Sequence, residues 1–270
     1  MDNAQTSHAL HLARSGITGL VLLGSTGEAV HLTRTERVAQ IKHVRAALTA
    51  GGYEDCPLIA GAATNGIEET MELLNESAAA GAGWGLVLAP GYFAAATSQE
   101  GIIALYKGVV EGSSIPVMMF VSPLLPPQDP ALPVKQLPLP RRQQQYKTPP
   151  SIFRTLAAHP NIVDGKLSHG DISIHAQIAL DPEIDHSKFH LFIGLSQQLF
   201  PVLQVGCNGA IESLAAIFTK TVVHVYNLVA HTEAMDQETL GHVRELQYRV
   251  SRAEELIVKF GTIEIKEAVA

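Results

Sequence analysis

The sequence predicts an α/β fold: a parallel, TIM-type (β/α)8 barrel that lacks its first strand and carries a C-terminal helical extension. Three observations point there. Seven short runs are apolar almost throughout rather than alternating, the pattern of parallel strands covered on both faces. Capped, amphipathic helical stretches separate most of them, and connections this short imply right-handed βαβ units. No G-x-G-x-x-G turn follows any of the runs, which counts against a doubly wound open sheet.

The elements follow in order. A helix over Thr6 to Arg14 leads straight into a first strand, Gly19–Gly24, so seven strands are read where a closed barrel has eight. Thr33-Arg34-Thr35-Glu36 reads as a capping box, with Val38, Ile41 and Val44 on one face of the helix behind it. After the strand Pro57–Gly61, Asn65-Gly66-Ile67-Glu68 repeats the cap-then-acid logic. Thr97-Ser98-Gln99-Glu100 repeats it again after Trp84–Ala89. The strand Pro116–Phe120 is followed by a stretch, Ser122–Pro150, with prolines at 123, 126, 127, 130, 133, 138, 140, 149 and 150. That composition predicts polyproline-like disorder, an insert in the barrel and not a domain boundary. Ile162–Leu167, a helix capped by Asp171 and running to Leu180, Phe189–Gly194 and Ala210–Ser213 complete the barrel. From Thr219 the pattern is helical, with Val222, Val223, Tyr226 and Leu228, then Val243, Leu246, Val250 and Leu256. The expected organisation is a barrel over 1–218, interrupted at 122–150, with helices of 219–270 packed on it.

Composition excludes several functions. With 270 residues, 46% apolar and 17% charged, there is material for a sizeable core. Net charge is −7, from 19 Lys plus Arg against 26 Asp plus Glu, and no basic stripe is present, so neither nucleic acid nor an anionic membrane is an expected partner. Ser77 to Gln99 is uncharged and long enough to span a bilayer. It contains Gly81, Gly83, Gly85, Pro90 and Gly91, however, so it reads as a buried strand with its turns. Cys56 and Cys207 are too few for a disulfide framework, and the N-terminus shows no basic, apolar leader. A cytoplasmic protein is expected.

In a parallel barrel the chemistry lies at the C-terminal ends of the strands. The first strand ends in Gly24-Ser25-Thr26-Gly27-Glu28, whose glycines, hydroxyls and successive amides suit a carboxylate or phosphate, or make an ordinary βα turn. The third ends at Pro90-Gly91-Tyr92, where Tyr92 offers a phenol or packs over the barrel mouth. The fifth carries Lys166, the lysine embedded in an apolar strand near its C-terminal end. Burial lowers the pKa of an amine, and the neutral amine attacks carbonyls. The alternative is a lysine snorkelling out of a strand end. Of twelve histidines none stands in a metal-ligand spacing; His169 and His175 flank Asp171 and read as capping or surface residues. There is no G-x-S-x-G elbow and no P-loop.

Two of these stretches carry a resemblance. Gly24-Ser25-Thr26-Gly27-Glu28-Ala29 with Leu32-Thr33-Arg34-Thr35-Glu36-Arg37, and Asn161-Ile162-Val163-Asp164-Gly165-Lys166, are similar to two motifs of the dihydrodipicolinate synthase/N-acetylneuraminate lyase superfamily of class I aldolases. The chain most resembles its fungal branch of 4-hydroxy-2-oxoglutarate and 2-keto-3-deoxy-sugar-acid aldolase-like proteins, from about Asp2 to Phe120 and from Ser151 onward. The resemblance implies a Schiff-base lyase acting on a small 2-oxo acid, with Lys166 as the imine-forming lysine. It makes Gly24, Ser25, Thr26 and Gly27 the carboxylate cradle, Tyr92 a catalytic tyrosine and Ile211 a pocket residue. It also implies a homotetramer with no metal and no dissociable cofactor. The chain departs from the family where a Y-N-x-P motif is expected and Phe120-Val121-Ser122-Pro123 stands. A phenylalanine cannot relay protons, and losing a general acid–base costs roughly 10²–10⁴ in rate. Two further readings therefore accompany the aldolase: a catalytically impaired paralogue or gene-model variant, and a dihydrodipicolinate synthase-like condensation.

Overall fold

Seven parallel strands form one curled sheet in the order of the chain, β1 to β7, with helices on its outer face. The computed structural model describes residues 3–91, 97–121, 148–230 and 234–269. The strands are β1 (Leu20–Leu22), β2 (Leu58–Ala62), β3 (Trp84–Leu88), β4 (Val117–Val121), β5 (Ile162–Leu167), β6 (His190–Ile193) and β7 (Gly209–Ala210). Each lies within or against the apolar run that predicted it. β7 starts at Gly209, one residue before its run, and ends at Ala210. Among the described residues no pairing joins β7 back to β1, as expected for a barrel short of one strand.

The helices are α1 (Asn3–Arg14), α2 (Arg34–Ala50), α3 (Ile67–Ala79), α4 (Gln99–Gly112), α5 (Pro150–Ala157), α6 (Ile172–Ala179), α7 (Leu199–Gln204), α8 (Thr219–Ala230), α9 (Gln237–Phe260) and α10 (Thr262–Val269). The Thr33 box forms in full: Thr33 accepts the Glu36 amide, and the Glu36 carboxylate accepts the Thr33 amide at 2.8 Å. Asp171 caps α6 by accepting the amides of Ser173 and Ile174. Two expected caps shift by one residue. Gly66, not Asn65, is the N-cap of α3 and offers no side chain, while Ser98, not Thr97, caps α4 through the Gly101 amide. Residues 122–147 of the proline-rich stretch lie outside the described residues. Its last residues are placed: Thr148 is buried and Pro150 opens α5, where a missing N–H costs nothing.

Between the strands and the outer helices lies the largest core cluster, built on Tyr106, Met119, Phe153 and Phe189. A smaller cluster fills the inside of the curl: Leu86, Met118 and Phe120, with Val21, Ile59, Phe192 and Ile211 against them. Strand alternation explains the division, since odd and even residues face opposite ways. α8, α9 and α10 make a third cluster through Val222, Val225, Leu246, Val250, Ile257 and Ile265. Here the sequence reading needs a correction. Leu256 is 46% exposed and its neighbour Ile257 is the buried one, because Ile257 continues the i, i+3, i+7 spacing of Val243, Leu246 and Val250 and Leu256 falls off that stripe. No helix among the described residues is long and apolar enough to cross a membrane. Ser77 to Gln99 holds the end of α3, β3 and the start of α4.

Candidate active site

Lys166 belongs to the row of β5 that faces into the curl. Its register partners are Phe120 on β4 and Phe192 on β6, both part of the inner cluster. Its Nζ lies 4.2 Å from the centroid of the Phe120 ring, a cation–π contact. Burial pulls its pKa down to about 8, opposed only in part by the negative charge of Glu212. At pH 7.5 such an amine is about a quarter neutral, against about a thousandth for an ordinary lysine. The strand position thus favours the neutral amine, which a surface position does not.

A cavity of about 740 Å³ occupies the inside of the curl and the gap between β1 and β7. Thr26, Gly27, Phe192, Ile211 and Glu212 line its upper part, and Asp164 and His190 its lower part. Lys166 is not itself among the lining residues: it lies beside Phe192 in register, with its amine over the Phe120 ring.

The turn after β1 is more restricted than the sequence suggested. The amides of Gly27 and Glu28 close onto the carbonyls of Gly24 and Ser25 at 3.1 and 3.2 Å, so they are spent inside the turn. The Ser25 and Thr26 amides are not used in these turn bonds. The turn is entered through Leu23 at φ 61°, a left-handed conformation that costs a branched side chain roughly 1–2 kcal/mol. A Cβ on Gly61 would overlap the Leu23 carbonyl, so β2 can lie against this turn only with a glycine there. Arg37 fastens the far side by donating to the carbonyl of Ala29 at 2.6 Å. Glu28 pairs with Lys266 of α10 at 2.6 Å, which ties the C-terminal helix to the cradle. The motif residues around Thr33 therefore serve mainly to hold this loop.

Tyr92 lies outside the described residues. His175 is buried, its Nδ1 2.8 Å from the Asp171 carbonyl, and the His169 ring meets it at a tilt of 56° with centroids 4.8 Å apart. Burial and the neighbouring ring push His169 down to about 4. Among the described residues no group of three His, Cys, Asp or Glu could hold a metal ion. Cys56 and Cys207 are free thiols, and burial pushes Cys207 up to about 12, so it is unreactive.

The sequence reading missed the acids. Glu212 follows Ile211 at the end of β7, and Glu254 comes from α9; both are pushed up by burial, Glu254 to about 7. Glu212 satisfied the rule that a polar residue ending an apolar strand belongs to the site, yet it sat inside a run taken as strand. Asp164, buried on the inner face, also pairs with the half-exposed His190 at 3.0 Å.

Fold and site together define a (β/α)-barrel protein with a buried lysine on its fifth strand. The chain belongs to the dihydrodipicolinate synthetase family, which matches residues 2–268. It is 30% identical over 267 residues to the L-threo-3-deoxy-hexylosonate aldolase of Hypocrea jecorina, covering 97% of this chain and 78% of that protein. It is 29% identical over 265 residues to a probable mitochondrial 4-hydroxy-2-oxoglutarate aldolase of Emericella nidulans, covering 97% and 76%. Among solved structures, a dihydrodipicolinate synthase family protein from Coccidioides immitis superimposes with a TM-score of 0.78 at 29% identity, covering 99% of this chain and 75% of that one.

Proposed function

We propose that this chain is a class I, Schiff-base-forming aldolase that cleaves or forms a C–C bond beside a pyruvate unit. Its substrate is a 4-hydroxy-2-oxo acid or a 2-keto-3-deoxy sugar acid. One observation carries the reading: an inward-facing lysine on β5 whose amine is partly neutral near neutral pH. The names of the fungal relatives support the substrate class. Lys166 attacks the 2-oxo carbon, and water leaves as the iminium forms. The iminium accepts the electrons of the C3–C4 bond, so the aldehyde departs and an enamine remains. Ser25 and Thr26 are proposed to hold the carboxylate, with Ile211 packing beside it and Tyr92 acting over the mouth.

Borohydride reduction in the presence of pyruvate tests this. A mass increase on the peptide containing Lys166 is expected; no adduct on that lysine overturns the assignment. A condensation like that of dihydrodipicolinate synthase is the second reading, favoured by the family match. A panel comparing pyruvate release from 4-hydroxy-2-oxo acids with consumption of aspartate semialdehyde separates the two. Phe120 favours a third reading, an impaired paralogue, which predicts adduct without turnover.

A homotetramer is proposed from the family resemblance. The free thiols fit any reducing compartment, so a cytoplasmic site competes with the mitochondrial one in the name of the Emericella relative. Fractionation of the tagged protein decides between them.

A further inference from the structure

The cavity inside the curl also runs along the open edges of β1 and β7. Side chains of a strand alternate between its two faces, so a cavity confined to the interior of the sheet is lined by alternate residues. Here five consecutive residues of the first strand run, Gly19 to Leu23, line it, and so do four at the end of β7, Ala210 to Ser213. The backbone of both edges is unspent. The Leu20 amide donates to the Pro57 carbonyl at 2.9 Å and the Ile211 amide to the Ile193 carbonyl at 2.8 Å, both toward the sheet. Their neighbours Val21 and Ala210 therefore turn their amides and carbonyls toward the gap.

The gap has two apolar walls. Ile59, Met118 and Phe192 form the inner one. The outer one is a single face of α1, where Gln5, His8, Ala9 and Leu12 recur at i, i+3, i+4 and i+7, completed by α2 and α10. Every titratable group that lines the cavity already has a partner. Asp164 holds His190 at 3.0 Å, Lys188 holds Asp185 at 2.8 Å, His8 meets the Ala216 carbonyl at 3.1 Å, and Glu212 accepts the amides of Leu214 and Ala215. No charge is left over for a charged guest. One polar atom is left over: Gln40 of α2 lines the cavity with its Oε1 buried and without a partner among the described residues, an acceptor for an amide N–H.

We propose that the gap between β1 and β7 is a binding site for an extended, uncharged, apolar peptide segment, which adds to the sheet as an eighth strand. A strand is the object that fits all of these features at once. It offers backbone groups to an edge on each side and apolar side chains to a wall on each face. The edge from Gly19 to Leu23 gives it a length of about five residues, at roughly 3.3 Å each. A second copy of this chain is the poorer occupant, because its own open edges are the three residues of β1 and the two of β7, each already built into a sheet. The occupant is a segment of another polypeptide.

The probe is a fluorescein-labelled peptide, Val-Ala-Ile-Val-Leu, joined to the dye through Gly-Ser-Gly and amidated at its C-terminus. Fluorescence polarisation with the full chain should show saturable binding at one peptide per chain, and the Tm should rise as peptide is added. No saturable binding overturns the proposal. N-methylation of alternate amides keeps the apolar side chains and removes edge donors, so affinity should fall by about tenfold or more. Equal binding of the methylated peptide makes the cavity a pocket for apolar groups in general and overturns the strand. Ala216→Phe narrows the gap from the outer wall and should weaken binding by a similar factor; an unchanged affinity in the folded variant places the peptide elsewhere and overturns the site. The comparison of the two peptides keeps the test decisive where that variant does not fold. Sedimentation identifies the occupant: an oligomer that the peptide dissociates gives the gap to a second copy and overturns the proposal, whereas an unchanged state of association supports it.

Discussion

Lys166 is asked to be a base in a place that penalises its charge, and its neighbours divide the two effects. Burial between Phe120 and Phe192 lowers its proton affinity, while the Glu212 charge and the Phe120 ring recover part of the loss. Folding therefore works against the charged amine. An amine with its pKa lowered on folding destabilises the protein below about pH 8, and the penalty fades as pH rises from there toward 10.5. Lys166→Met should accordingly abolish the pyruvate adduct and stabilise the protein at pH 7 by on the order of 2 kcal/mol. Urea melts should show that gain shrinking above pH 8. A destabilised variant at pH 7 would mean that the amine is better paired than the geometry indicates.

At the scale of the element, α2 and α9 do different work. α2 starts at a complete capping box, and four residues further in Arg37 reaches back to the Ala29 carbonyl. Removing that tie with Arg37→Met should raise KM for the oxo acid several-fold and leave kcat within about twofold, since the proposed role of this turn is to bind and not to react. A proportionate fall in kcat would move the cradle into the chemistry. α9 buries Glu254, whose pKa rises from 4.5 to about 7, first through burial and then through the Glu212 charge. A carboxyl with its folded pKa raised stabilises most below pH 4.5 and loses that contribution as pH climbs to about 7. Glu254→Gln should flatten the fall in stability between those limits in thermal melts at a pH series. A slope that survives the substitution assigns it to another group.

The whole molecule leaves two strand edges, β1 and β7, without partners among the described residues, and β1 is only three residues long. Open edges favour association, and α9 adds exposed apolar side chains at Tyr248, Leu256 and Val258. Sedimentation at micromolar concentration should find an oligomer, and the pair Tyr248→Glu with Val258→Glu should weaken it if this face takes part. A single sharp monomer boundary in the parental protein would remove the oligomer from the proposal.

The strands and the inward lysine were legible in the sequence because both are local. A parallel strand is a short apolar run, and a charge inside one is visible without any coordinates, as at Ile162–Leu167. The Thr33 and Asp171 caps were equally readable, each needing only a few neighbouring residues. The sequence by itself determined the sheet, its order and Lys166. Tertiary structure alone decided that Leu256 turns outward, that the Gly27 and Glu28 amides are already used, and that Lys266 closes on Glu28. It alone brought Glu254 from α9 to Glu212 beside β7. The physical reason is range: backbone propensity and burial periodicity act over a few residues, whereas desolvation and charge depend on which distant segments share one interior.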